Sequence, residues 1–215
     1  MCNHAVMDGR RGTKQTNRDK IIGAAISAYE SDPDATIGDI ADAAGVVRRT
    51  VYGHFPSRRD LIIGIADQAS DDLIRRLSGV ADIVDDPILA LATLELATWP
   101  VGNRYRTLLG VGRRELGEGR IRELLDPARR TTVTVVEQGQ LSGRFSTELT
   151  PATFVVVAEA ATLALLDRMN VGDDQIDGYT AATVTLTLAG VDASTRQKSI
   201  ELAQRRLDGI GSETM

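Results

Sequence analysis

From residue 36 to residue 55 the chain reads Thr-Ile-Gly-Asp-Ile-Ala-Asp-Ala-Ala-Gly-Val-Val-Arg-Arg-Thr-Val-Tyr-Gly-His-Phe, a spacing of small, turning and apolar residues that admits few folds. Two short helices that cross steeply need a small residue where their backbones meet, which Ala41 supplies. They also need a residue that turns the chain, which Gly45 supplies. Ile37, Ile40, Ala44, Val46 and Val51 then recur at spacings that point inward from both helices. Thr36 is the expected N-cap of the first helix and Gly45 the left-handed residue that ends it. The pattern is that of a helix-turn-helix.

The second helix of the pair, about Val47 to Phe55, carries Arg48, Arg49, Thr50, Tyr52 and His54 on its outward face. These side chains suit phosphates and base edges, so double-stranded DNA is the expected partner. Arg48 and Arg49 are the expected base readers. Thr36, Thr50, Tyr52, His54 and Arg58 are the expected phosphate contacts, and Val47 heads the same surface. Whole-chain charge is the wrong test of this reading, because the formal net charge of −5 is unevenly spread. Arg10–Ile63 holds nine Lys/Arg against seven Asp/Glu, and Gly64–Met215 holds sixteen against twenty-two. Phosphate attraction is local, screened within about 8 Å at physiological salt, so a small basic head on an acidic body fits site-directed contact.

On the N-terminal side, residues 1–16 have little apolar pattern and read as a flexible basic arm whose Arg10, Arg11 and Lys14 could enter a minor groove. From Asn17, the residues Ile21, Ile22, Ala25, Ile26, Ala28 and Tyr29 keep helical spacing until Asp32-Pro33 stops them. On the C-terminal side, Ser57 with Asp60 resembles a capping box, opening a helix through Leu61, Ile65, Leu73 and Leu77.

These residues resemble the tetracycline-repressor-like (TetR) family of transcriptional regulators over roughly Asn17 to Leu61. The resemblance is carried by Ala24, Ala25, Tyr29, Thr36-Ile37, Ile40-Ala41, Ala44-Gly45-Val46, Thr50-Val51-Tyr52, His54-Phe55, Ser57-Arg58 and Leu61. Val47 stands where the family usually has Ser or Ala, which removes an N-cap hydroxyl from the second helix. Gly53 stands where a larger residue is common, at a helix-propensity cost of roughly 1 kcal/mol against alanine.

The resemblance implies an all-α protein: the arm (1–16), a three-helix DNA-binding head (17–63) and a larger helical body (64–215) that binds an effector and dimerises. Helical spacing predicts segments near Ile88–Thr98, Tyr105–Leu116, Arg120–Gln138, Pro151–Met169, Gln175–Ala189 and Thr195–Leu207, with connections at Gly79–Asp86 and Pro100–Gly102. Pro127 should kink or restart its helix, whereas Thr150-Pro151 reads as an N-cap followed by proline at the first helical position. Thr131–Val136 and Thr183–Leu188 alternate like strands. Two isolated strands among so many helices would make a poor sheet, so both are expected to be helical.

The body offers little for catalysis. His4 and His54 are the two histidines and Cys2 the single cysteine, so a His/Cys metal site or a histidine-dependent triad cannot be built there. No cofactor and no metal is expected. A helical enzyme with a vestigial head remains the remote alternative. Another is a regulator gated by a protein partner or by abundance, with no small-molecule input.

The helix from Pro151 is apolar nearly all round, with Val155, Ala158, Thr162 and Leu165 on one side and Val156, Leu163 and Leu166 on another. Such a helix must be buried on all sides. A homodimer achieves this if the first set faces a second copy and the next helix adds Val184 and Leu188. Glu159 stands in this run and needs a partner: it bonds an arginine across the dimer or lines the effector pocket. Trp99, Tyr105 and Leu109 are the expected pocket walls, since ligand sites are mostly apolar and aromatic. The expected effector is a small molecule. The longest apolar run, Phe154–Leu166, is interrupted by Glu159 and falls short of the ~20 residues of a membrane helix. With no apolar signal core at the N-terminus, no membrane association and a cytoplasmic location are expected.

Overall fold

The computed structural model describes the backbone of residues 5–78, 86–172 and 176–213 and the side chains of 16–78, 86–172 and 176–209. Among the described residues there are nine helices and no strand: α1 (Ala5–Ser31), α2 (Ile37–Ala43), α3 (Arg48–His54), α4 (Arg58–Ser78), α5 (Pro87–Leu116), α6 (Glu118–Leu141), α7 (Pro151–Asn170), α8 (Gly178–Leu188) and α9 (Ala193–Glu213). The Gly79–Asp86 connection falls almost entirely outside the described residues, as do the side chains of Arg10, Arg11 and Lys14.

Helix ends follow local chemistry. Thr36 caps α2 in a full capping box: the Asp39 backbone N–H donates to the Thr36 hydroxyl, and the Thr36 N–H donates to the Asp39 carboxylate at 2.8 Å. At the other end Gly45 has φ +65°, while the Val46 N–H reaches the Ala41 carbonyl and the Gly45 N–H the Asp42 carbonyl. Those two bonds form a Schellman motif, which needs the left-handed residue. At the start of α4 the Asp60 N–H donates to the Ser57 hydroxyl, which in turn donates to the Asp60 carboxylate. Thr150 accepts from the Thr153 N–H, with Pro151 opening α7.

Both strand-like segments are helical, and their threonines turn their hydroxyls back to carbonyls one turn earlier: Thr131 to Pro127, Thr132 to Ala128, Thr134 to Arg130 and Thr187 to Thr183. This satisfies the hydroxyl without leaving the helix.

Three boundaries differ from the sequence expectation. Helix α1 starts at Ala5, not Asn17. Helix α5 runs unbroken through Pro100, because buried residues continue on both sides of the proline, from Leu96 and Trp99 to Tyr105, Leu108 and Val111. Tertiary burial there outweighs the loss of one backbone bond. Helix α6 likewise contains Pro127 without a break.

The chain forms two compact units: one of residues 1–68 with 107–121, the other of 69–106 with 122–215. The first has a core of Ile21, Ile22, Ala25, Ile26 and Tyr29 from α1, Ile40 and Ala41 from α2, Val51 from α3, Phe55, and Leu61, Ile62 and Ile65 from α4. The second is centred on Leu91, Ala92 and Leu96 of α5, Phe154, Val155 and Ala158 of α7, Ala182 and Leu186 of α8, and Ile200 and Ala203 of α9. Gly139 lets the Phe145 ring lie against α6, since a Cβ there would fall 2.0 Å from it.

Candidate nucleic-acid interface

Helix α3 turns Val51 into the core of the first unit and leaves Arg48, Arg49, Tyr52 and Gly53 exposed. Those four share one helical face, because residues three and four apart are neighbours. Val47 is the N-cap, 70% exposed and without a capping side-chain bond; Tyr52 is 50% exposed. Thr50 and His54 flank the face and are half-buried.

The two arginines differ in a way their adjacency in sequence hides. The Arg48 guanidinium lies over Gly38, where any Cβ would come within 2.4 Å of it, and its charge reaches Asp39. Arg49 has no hydrogen bond or ion pair among the described residues.

Two expected phosphate contacts have other work. The Thr36 hydroxyl is engaged with Asp39. Arg58 donates to the carbonyls of Pro33, Asp34 and Ala35 at 2.7–3.3 Å, stacks 5.1 Å from the centroid of Tyr29, and lies 3.7 Å from Glu115. It braces the loop ahead of α2. Further cations serve the same unit: Arg18 covers the Phe55 ring, Arg59 donates to the Glu115 carbonyl and Arg114 pairs with Asp34.

A cationic, aromatic face on the second helix of a Schellman-turned pair is the architecture of a DNA reader. The model of the bacterial regulatory proteins of the tetR family matches residues 23–65, which is α1 from Gly23 through the first turns of α4. The chain carries a tetR-family regulatory domain. The chain is 32% identical over 93 residues to part of the HTH-type transcriptional repressor LfrR of Mycolicibacterium smegmatis, a match covering 42% of this chain and 49% of that protein. The chain thus spans about half the length of that relative. The wider fold is shared with the fatty acid degradation regulator FadR of Bacillus halodurans (TM-score 0.65, 20% identity, 81% of this chain and 95% of that one). It is shared too with the ketosteroid transcriptional regulator KstR2 of Mycobacterium tuberculosis (TM-score 0.65, 19% identity, 80% and 93%). The all-α class of this chain agrees with both.

In the second unit lie two of the expected pocket residues, Trp99 and Tyr105. Trp99 is buried, whereas the Tyr105 hydroxyl donates to Asp72 at 2.7 Å beneath the Arg104 guanidinium. Leu109 lies in the first compact unit. Glu159 receives two bonds from Arg129 of α6, at 2.5 and 2.6 Å, which ties α6 to α7 within one chain and holds the guanidinium firmly charged. The expected partner across a dimer is corrected to an internal one.

The surface of α7 is also turned relative to expectation. Val155 and Ala158 are buried in their own core, and Thr162 and Leu165 are half-buried. Outward stand Val156, 65% exposed, with Val157, Ala160 and Ala164. An all-round apolar helix gives no phase; the adjacent Phe154 and Val155, both buried, fix it here. Val184 and Leu188 of α8 are half-buried.

One acidic residue of the second unit was not singled out by pattern. Glu95 is the one acidic residue between Asp86 and Glu115, within the apolar first half of α5. It accepts from the Thr185 hydroxyl of α8 at 3.1 Å. Desolvation pushes its carboxyl up to about 7, against the lowering effect of that bond.

Proposed function

We propose that this tetR-family chain is a homodimeric, effector-released repressor of transcription that binds a palindromic operator. The exposed face of α3 carries the reading: Arg49 and Tyr52 point away from the fold with Arg48 and Val47 beside them, and no internal acid claims Arg49. Val47 supplies an apolar contact of the kind that reads a thymine methyl. The outward valines and alanines of α7, with Val184 and Leu188 of α8, supply the dimer face, and two heads would meet successive major grooves about 34–36 Å apart. The relative in Mycolicibacterium smegmatis is a repressor, and the similar structures include regulators of fatty acid and ketosteroid pathways, which supports a small apolar effector. Release follows if the effector binds more tightly to a dimer whose head spacing does not fit the operator.

The test is selection of genomic DNA by the purified protein, followed by binding assays on the enriched site. A palindrome is expected, and replacing both Arg48 and Arg49 by Ala should weaken it by about a hundredfold or more. Absence of any enriched sequence, or full binding by the double variant, overturns the assignment. Ala160→Arg should abolish self-association in sedimentation while leaving the helical content intact. A variant that stays dimeric moves the interface elsewhere.

A further inference from the structure

Several carboxylates in the second unit are met by arginine. Glu159 has Arg129, Asp72 has Arg75 and Arg104, and Asp86 has Arg144. Glu95 differs: among the described residues its bond is to a threonine hydroxyl, and no cation contributes to its electrostatic surroundings. A carboxylate taken out of water without a counter-charge is costly, yet Glu95 keeps part of its surface accessible. Trp99 lies one turn further along α5 on the same face. Helix α8 reaches both positions, since Thr185 bonds Glu95 and an added Cβ on Gly178 would lie 3.3 Å from Trp99 and from Leu96. The surrounding side chains, Leu91, Leu96, Ala182 and Leu186, are apolar and buried.

We propose that Glu95, with Thr185 beside it and Trp99 one turn away, is the anchor for a positively charged nitrogen on an otherwise apolar effector, an amphiphilic amine. The inference rests on the effector-released reading above and names the class of effector. An ammonium group supplies the missing counter-charge, the indole face adds a cation–π attraction, and the leucines take the hydrocarbon. A carboxylate-bearing effector would set two like charges together and is disfavoured.

Trp99 is the single tryptophan, so its fluorescence reports on this site. Decylamine, decanol and decanoate share one chain length and differ in charge, and each is titrated into the full-length protein at about pH 8, where Glu95 is ionised. Decylamine is expected to bind about tenfold or more tighter than decanol, with decanoate weakest. In Glu95→Gln, which keeps an acceptor for Thr185, the amine preference should vanish. If that variant does not fold, the wild type at about pH 5 serves the same purpose, because protonation of Glu95 removes the charge and no other titratable group is bonded to it from α8. Equal binding of decanol or decanoate, no saturable signal from any of the three, or a preserved preference in the variant overturns the proposal. So does loss of self-association by Glu95→Gln, which would place the counter-charge on a second copy. Tight amine binding that leaves operator affinity unchanged overturns the effector reading alone. Operator release by a ligand without amine preference overturns the cation site alone.

Discussion

The molecule contains the same pair of groups, a threonine hydroxyl bonded to a carboxyl, in two settings. In the head, Thr36 and Asp39 sit at the surface, and the hydroxyl and backbone N–H bonds from Thr36 hold the Asp39 carboxyl below its usual range. In the body, Thr185 donates to Glu95 in the same sense, yet burial dominates and the carboxyl rises to about 7. One hydrogen bond decides the outcome where water already solvates the anion. It cannot do so where most of the water has been removed, since a largely lost hydration shell outweighs a single neutral donor. The first pair therefore builds a helix end, and the second leaves a charge to be met from outside.

The largest expected effect lies at the buried pair. Because the folded pKa of Glu95 is raised above the unfolded value of 4.5, its contribution to stability is fully present below about pH 4.5 and lost as pH rises through 7. Glu95→Gln should therefore stabilise the protein at pH 8 by up to about 3 kcal/mol and have little effect near pH 4.5, as read by urea unfolding at both values. A pH-independent effect would break the contrast. Next comes Glu159→Gln, in a half-buried pair that does have its arginine. It should destabilise by roughly 2 kcal/mol, opposite in sign to the Glu95 variant at pH 8. Smaller still, Thr36→Ala should cost about 1 kcal/mol of cap stabilisation, seen as a lowered melting temperature of the head. Thr185→Val should cost roughly 1 kcal/mol at pH 8 and less at pH 5, where the neutral carboxyl needs its partner less. If the two threonine variants respond alike to pH, the two settings are not as different as their carboxyls indicate.

The head was largely legible because its determinants are local. Thr36, Gly45, Ser57 and Thr150 act on backbone groups within a few residues, so their spacing alone places the helix ends. The roles of Arg48, Arg49 and Arg58 were not separable in the same way, since all three are surface-type cations near one motif. Only the fold shows Arg58 committed to three carbonyls and Arg48 lying over Gly38. In the body, periodicity found the helices, but Pro100 overstated a break that burial on both sides removes. The apolar run of α7 carried no phase, and Val155 and Ala158 proved to be core. Glu95 was hidden because its meaning depends on what fails to surround it, and missing partners leave no trace in a pattern.

Helix α5 contributes residues 87–106 to one compact unit and 107–116 to the other, so the unit that holds the DNA-reading helices is assembled from two separated stretches of the gene. A chimera that exchanges operator preference by a single crossover in α4 would bring Arg58, Arg59 and Asp34 without the Arg114 and Glu115 they meet. Recombination that keeps a working head must transfer both stretches together, or keep those partners matched across the join.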